Sequence, residues 1–579
     1  MRKTCNNCQQ NFEITDEDLK FYEKVSPEFN GKKYLIPPPT FCPQCRVMRR
    51  MAFRNDRTIY QRKCDKSGEN FVSLYPPNSP FTIYKASEWY KDDWEPLSFG
   101  QEYNFSKPFF EQFQELMLKV PRLGMTTVNV ENSEYCPYSS DAKNCYLDIA
   151  AEGNEDCHYN LFVKYSKNIL DSTFVYNSNL NYESINCYNI YNCKYGIYLD
   201  NCNDCLFCFD LKGCKNCIFS NNLRQKEYYI FNKQYSKKDY EEKLKELNLN
   251  SYQNLQKNIE IWKEIMKKAI HKNIYTLNSE NCSGNDVKNS KNCHNVFNVV
   301  DCEDCKYLYD VLEAKDCMDM NYSLYKPELA YEAISSLNQK YSAFIMNICI
   351  YNSQVFYIDS CQHSSNLFGC IGLRHKQYCI LNKQYTKEEY EKLVPKIIEA
   401  MKSPKSPLTR GLGHPLDKGG LGDCEWGEFF PSSISPFGYN ETVAQEYFPL
   451  SKTEAIAKNF KWSDDEPEFP KVEKIIPANL LPDLINDIPD DILNWAIRCE
   501  ISNRPFKIIA PELKFYREQN LPIPHLHPDQ RHKNRMALRN PRKLWKKSCM
   551  KCNAEIQTTY SPERKEIVYC EKCYLKEVY

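Results

Sequence analysis

The chain has 579 residues, 76 Lys+Arg against 76 Asp+Glu, and 30 Cys. That length calls for several domains, and the balanced charge excludes a global polyelectrolyte built to coat nucleic acid or a charged surface. With no run of 18 apolar residues and no apolar signal core in residues 1–30, the expectation is a cytoplasmic chain with reduced thiols and no membrane partner.

Residues 1–63 open with two knuckles, Cys5-x2-Cys8 and Cys42-x2-Cys45, separated by 33 residues. Two Cys-x-x-Cys turns supply two edges of a tetrahedron of thiolates, which is what zinc takes. A redox Cys-x-x-Cys belongs beside a βαβ pattern, and none is present. The segment Arg46–Lys63 follows, with seven Lys/Arg against one Asp. Its candidate phosphate contacts are Arg46, Arg49, Arg50, Arg54, Arg57 and Arg62. Residues 64–105 begin with Cys64-x2-Ser67 and read as a ribbon unit without its ligands. In residues 106–131, Ser106-Lys-Pro108 starts a helix with Phe109, Phe110, Phe113, Leu116, Met117 and Val120 on one face.

The centre of the chain is duplicated. Cys193, Cys202, Cys205 and Cys217 follow C-x8-C-x2-C-x11-C, and Cys293, Cys302, Cys305 and Cys317 repeat it. LRQKEYYIFNKQYSKKDYEEKL from Leu223 returns as LRHKQYCILNKQYTKEEYEKL from Leu373. Short aromatic and β-branched runs, punctuated by Asn-Cys and Asp-Cys, predict strands and tight turns stacked as coils, a β-solenoid or β-helix. Cys packs inward as a small apolar residue; Asn and Asp take left-handed corners. The first copy spans 132–250 with a capping helix begun by Ser236. A connecting helix occupies 251–274, and the second copy spans 275–402. A helical insert is expected at 327–340, and Thr386-Lys-Glu-Glu389 begins the second capping helix. Residues 403–423 read as a flexible Gly/Pro-rich loop, and 424–495 as an acidic, Pro-rich connector.

The C-terminal end mirrors the N-terminal end. Residues 496–547 read as a degenerate ribbon plus an Arg-rich segment, Arg531–Lys547, with eight Lys/Arg and no acid. Its candidate phosphate contacts are Arg531, Arg535, Arg539, Arg542, Lys543, Lys546 and Lys547. Residues 548–579 hold Cys549-x2-Cys552 and Cys570-x2-Cys573. When Arg46 is laid on Arg531 without a gap, Arg50-Met-Ala-Phe-Arg-Asn55 lies on Arg535-Met-Ala-Leu-Arg-Asn540, Cys64 on Cys549 and Tyr75 on Tyr560. Cys5, Cys8, Cys42 and Cys45 fall on Cys499, Ser502, His527 and Gln530. Each end is therefore expected to be a tandem of two ribbon units, one with ligands and one without. Two structural zinc ions per chain follow, with Cys499 and His525, His527 and His532 as a weaker third possibility.

The first knuckle pair, Phe12, Asp18–Tyr22 and Cys42-Pro-Gln-Cys-Arg46 resemble a zinc-ribbon family found in many bacterial proteins; the insert before the second knuckle is longer here. Asn-Lys-Gln-Tyr (232–235 and 382–385), Ser435–Thr442 and Val568–Tyr574 resemble Cys-rich zinc-ribbon proteins of small bacteria. The resemblance implies zinc binding and no assigned activity. The fold class expected is thus mainly β with added helices: a duplicated β-solenoid flanked by small zinc-ribbon tandems. No catalytic motif stands out, and four thiolates leave zinc no open position for water. The expected function is non-enzymatic binding of RNA, DNA or a ribonucleoprotein through the Arg-rich segments. The alternative is a protein-interaction scaffold, with the arginines paired inside the chain. A third reading, a carbohydrate-active β-helix enzyme, would use Asp200, Asp210, Asp301 or Asp310.

Overall fold

A computed structural model describes residues 1–321, 328–334, 336–337, 340–347, 349–402, 424–467 and 469–579. The predicted loop at 403–423 lies outside the described residues. The chain divides into two compact units, each made of two stretches: unit 1 is 1–125 with 275–466, and unit 2 is 126–274 with 467–579. The fold is mainly β, with twelve α-helices among the described residues. No described helix is long and apolar enough to cross a membrane.

Each unit contains one long parallel ladder in which every strand pairs with the equivalent strand of the next repeat. In unit 2, Leu161 pairs with Thr173, Thr173 with Ile185, Ile185 with Ile197, and Ile197 with Phe209. In unit 1, Phe297 pairs with Tyr309, Val355 with Leu367, and Leu367 with Cys379. All of these steps have the same length. Two steps of unit 1, Lys315 to Glu328 and Ser342 to Val355, are longer by a single residue.

Within a repeat the backbone moves in steps of three. Asn192, Tyr195, Tyr198, Asn201, Asp204, Phe207 and Asp210 all have φ between 49° and 56°. The residue after each left-handed position turns inward. Cys193, Leu199, Cys202, Cys205, Cys208 and Leu211 belong to one buried core. The Asn-Cys and Asp-Cys pairs read from the sequence are this step, a left-handed corner followed by an inward thiol. The separations of Cys193, Cys202, Cys205 and Cys217 are all multiples of three for the same reason. Inward Cys side chains also give their S–H to ladder carbonyls: Cys202 Sγ lies 3.4 Å from Asp200 O and 3.5 Å from Leu211 O. All 30 thiols are free.

A left-handed non-glycine residue costs roughly 1–2 kcal/mol. Asn and Asp soften this and bond to one another along the stack. Asn192 Nδ2 donates to Asp204 Oδ1 at 2.7 Å, and Asn298 Nδ2 to Asp310 Oδ1 at 2.7 Å. Aromatic corners stack: Tyr195, Phe207, Phe219 and Phe231 have successive ring centroids 5.0–5.1 Å apart.

The step of three also explains the one misplaced helix. Ala330 and Ala333 have the i, i+3 spacing of a helix face, yet both belong to the ladder core. The described residues of the expected insert 327–340 form the strands Glu328–Tyr331, Ser336–Leu337 and the start of Lys340–Ile345. A period of three is close enough to 3.6 to mislead over so short a stretch.

Each ladder ends in an antiparallel hairpin and a helix, which finish an otherwise open edge. Tyr229 pairs with Gln234 and Cys379 with Gln384. Ser236 caps Lys237–Glu246, and Thr386 with Glu389 makes the expected capping box on Lys387–Met401. The helix Phe109–Lys119 lies on the unit 1 ladder, with Phe109 5.0 Å from Tyr357 and 5.4 Å from Phe368. The helix Tyr252–Lys268 takes the same role in unit 2, where Trp262 donates to Cys208 O and packs on Tyr195.

Candidate metal centres

Four turns share one backbone pattern. In the first, Cys5 N donates to Gln10 O, and Gln9 N donates back to Cys5 O, both at 2.9 Å; Gln9 is left-handed at 60°. Cys549 N bonds Ala554 O, Asn553 N bonds Cys549 O, and Asn553 sits at 59°. Cys64 with Gly68 and Glu69, and Cys499 with Asn503 and Arg504, repeat both bonds. Opposite each turn a helix begins, with Cys42, Cys570, Lys85 and His527 as N-caps. Amide groups point at the leading sulfur. Cys42 N and Cys570 N lie 3.2 Å from Cys5 Sγ and Cys549 Sγ, and Lys85 N lies 3.4 Å from Cys64 Sγ.

Two of the four arrangements carry four cysteines. Cys5, Cys8, Cys42 and Cys45 form one cluster, in unit 1. Cys549, Cys552, Cys570 and Cys573 form the other, in unit 2. In each cluster all sulfurs lie within 4.8 Å of one another. Cys8 and Cys42 are 3.7 Å apart, and Cys552 and Cys570 3.8 Å. A tetrahedral ion bound by thiolates at ~2.3 Å sets its sulfurs about 3.8 Å apart, so both clusters fit a four-coordinate metal. Burial pushes the Cys549 thiol up, but the N–H groups of Cys570, Cys552 and Lys551 outweigh it and bring the thiol down to about 6. Such a sulfur is available as a thiolate ligand at neutral pH. With four sulfur donors the shell is closed.

The other two turns keep the backbone and lack the ligands. Cys64 and Cys499 stand alone, and no third group joins Cys499 to the histidines among the described residues. His525 is turned to Glu500, with Nδ1 at 2.7 Å, and stacks on Tyr252. His527 Nδ1 accepts from Asp529 N at 3.1 Å. His532 is buried.

The arginines chosen as phosphate contacts have other employment. In unit 1 the helix Pro43–Met51 lays Arg46, Arg49 and Arg50 against the ladder, and all three are buried. Arg46 Nε donates to Asp319 at 2.7 Å; Arg49 donates to Glu332 at 2.9 Å and to Glu428 at 3.0 Å. Arg50 lies 3.6 Å from Asp319 and 3.7 Å from Glu332. Arg54 pairs with Asp56 and Arg62 with Asp65. In unit 2, Arg531 contacts Asp171 and Glu512, and Arg535 lies 2.8 Å from Asp171 and 3.3 Å from Glu183. Arg539 stands over Phe174 at 4.0 Å. A buried guanidinium already held by carboxylates has no face for a phosphate, so Arg46, Arg49, Arg50, Arg54, Arg62, Arg531 and Arg535 are corrected from surface contacts to internal ones. Arg57 and Arg542 are half-buried, and Lys543 and Lys546 are exposed. Lys546 pairs with Glu555, and Lys547 donates to Ser561 O and Arg564 O at 3.3 Å.

The carboxylates that receive these arginines were not singled out by sequence reasoning, although a signal exists. Tyr159, Asp171, Glu183, Tyr195 and Phe207 occupy left-handed corners, each one repeat after the last; Tyr307, Asp319, Glu332, Phe344 and Tyr357 are their counterparts. Two acids within a column of aromatic corners mark the docking line. Arg46 covers Tyr307 as Arg531 covers Tyr159, and Tyr22 packs on Tyr331 as Tyr516 packs on Tyr182. The ladders therefore correspond corner for corner, and the offset between them grows by one at each longer step of unit 1.

The aspartates of the enzyme reading do not converge. Asp210 is held by Asn222, Arg224 and Tyr574, Asp310 accepts from Asn298, and Asp200 lies 3.9 Å from Lys212. Asp301 is a left-handed corner. Comparison of the chain with protein-family models, curated proteins and solved structures finds no match.

Proposed function

We propose that the chain is a non-enzymatic scaffold for protein interaction, built from two related modules. Each is a β-solenoid to which a zinc-ribbon tandem is fastened by buried arginines. The carrying observation is the burial of Arg46, Arg49, Arg50, Arg531 and Arg535 against ladder carboxylates. The same side chains cannot serve both as fasteners and as phosphate contacts. A regular parallel register with inward cores supports the solenoid, whose repeating faces suit docking. Closed four-thiolate shells support structural zinc, one ion in each tandem.

The test is titration of purified, nuclease-treated protein with labelled RNA, single-stranded DNA and duplex DNA across a salt series. The scaffold reading expects no saturable binding at physiological salt. Tight binding with a steep salt slope would overturn it and place the contacts on remaining cations such as Lys543 and Lys546.

A further inference from the structure

The two modules differ at one groove. In unit 1, the carbonyls that end the arginine helix are met by a later segment of the chain. Ser435 Oγ donates to Ala52 O at 2.7 Å, and Val443 N donates to Arg54 O at 2.9 Å. The same segment packs Phe429 on Phe53, Phe430 on Phe113 and Phe437 on Tyr75. Acidic side chains flank these rings: Glu428 pairs with Arg49, and Tyr60 donates to Glu441 at 2.5 Å.

In the alignment of the two ends, Ala52, Phe53, Arg54 and Tyr75 become Ala537, Leu538, Arg539 and Tyr560. In unit 2 these four residues line a cavity of about 240 Å³. Ile185, Ile197, Phe209 and Met266 form its apolar wall. Four basic residues, Lys263, Lys267, Arg539 and Arg564, stand around it against one acid, Glu566. The buried charged pair of unit 1, Arg122 with Asp359, is replaced here by neutral rings. His271 lies 4.9 Å from Phe209 and accepts from the Tyr560 hydroxyl at Nδ1, while its Nε2–H donates to Met266 O. The sister groove is thus filled by an aromatic segment with acidic flanks, and this one is apolar inside and basic outside.

We propose that the unit 2 groove is a docking site for a partner protein, taking an extended peptide that presents a phenylalanine flanked by carboxylates. The proposal rests on the scaffold reading above and names its site. Its occupant is argued from what fills the equivalent groove and from the charge around this one.

The probe is a fluorescent synthetic peptide of residues Trp426–Tyr447, titrated into the zinc-loaded full chain and read by anisotropy. In unit 1 the equivalent groove already holds this segment, so the peptide is expected to bind at one site. Ala537→Trp, at an exposed position on the groove, and the double variant Lys263→Glu with Lys267→Glu are each expected to weaken binding tenfold or more. Metal content and the melting curve should be unchanged in both. The peptide with Phe429, Phe430 and Phe437 changed to Ser should not bind. Failure of the wild-type chain to bind the peptide, or equal binding by wild type and both variants, would overturn the proposal. Either failure leaves the scaffold reading to the nucleic-acid titration, which decides it separately.

Discussion

The two modules fasten a ribbon tandem to a ladder with the same corners and different charge balance. In unit 1, three buried arginines face Asp319, Glu332 and Glu428. In unit 2, exposed Asn534 stands at the position equivalent to Arg49, so Arg531 and Arg535 face Asp171, Glu183 and Glu512. The surplus acid is visible in Glu183, which burial raises to about 7 against the pull of Arg535. The difference teaches that the docking geometry is set by the aromatic column and its two acids, and that the arginine number can vary around it.

The largest expected effect is loss of metal. Each module should carry one zinc, so elemental analysis should give two per chain, falling to one in Cys42→Ser and one in Cys570→Ser. Four or none in the wild type would break the parallel between the tandems. Structural zinc contributes on the order of 10 kcal/mol in small fingers, so chelation should unfold both tandems. The ligand-poor turns should be indifferent to it, and Cys64→Ala should cost only about 1 kcal/mol for the lost amide–sulfur contact.

Next come the fasteners. Removing one partner of a buried ion pair typically costs about 3–5 kcal/mol. Arg535→Ala should destabilise unit 2 by that order, measured by urea unfolding. Arg50→Ala should cost unit 1 less, because Arg46 and Arg49 remain on the same carboxylates. Equal losses would dissolve the distinction between the units.

The smallest effect is a pH dependence confined to unit 2. Asp148 turns inward there, while its unit 1 counterpart in the ladder alignment is Val296. Burial raises the Asp148 carboxyl to about 7, the Asn154 and Asn160 amides opposing it. Between the unfolded value, about 3.9, and about 7, the folded chain holds a proton that the unfolded chain releases. Stability therefore falls as pH rises through that window. Asp148→Asn should flatten the fall in melting temperature between pH 5 and pH 7.

The sequence carried the pieces that repeat. Knuckle spacing placed all eight ligands, and the Asn-Cys pairs announced corners and an inward thiol. The match between the two ends found both tandems, because Cys and Arg-Met-Ala survive duplication as identities. The three-residue step was harder to see, since any inward residue of small or middling size satisfies it; Ala330 and Ala333 consequently read as a helix face. The destination of the arginines was least legible. Asp171 and Asp319 lie far along the chain from their partners, and only the stacked column of corners aligns them. A basic run looks the same in sequence whether its guanidinium groups meet phosphate or an acid of the same chain.

The most direct test of the fastening account is a double-mutant cycle on Arg535 and Asp171, read by urea unfolding of unit 2. The account expects each alanine variant to lose about 3–5 kcal/mol and the double variant far less than their sum, because removing both charges leaves neither buried alone. Single losses below about 1 kcal/mol, adding simply in the double variant, would mean that the pair fastens nothing and that Arg535 is open to another partner.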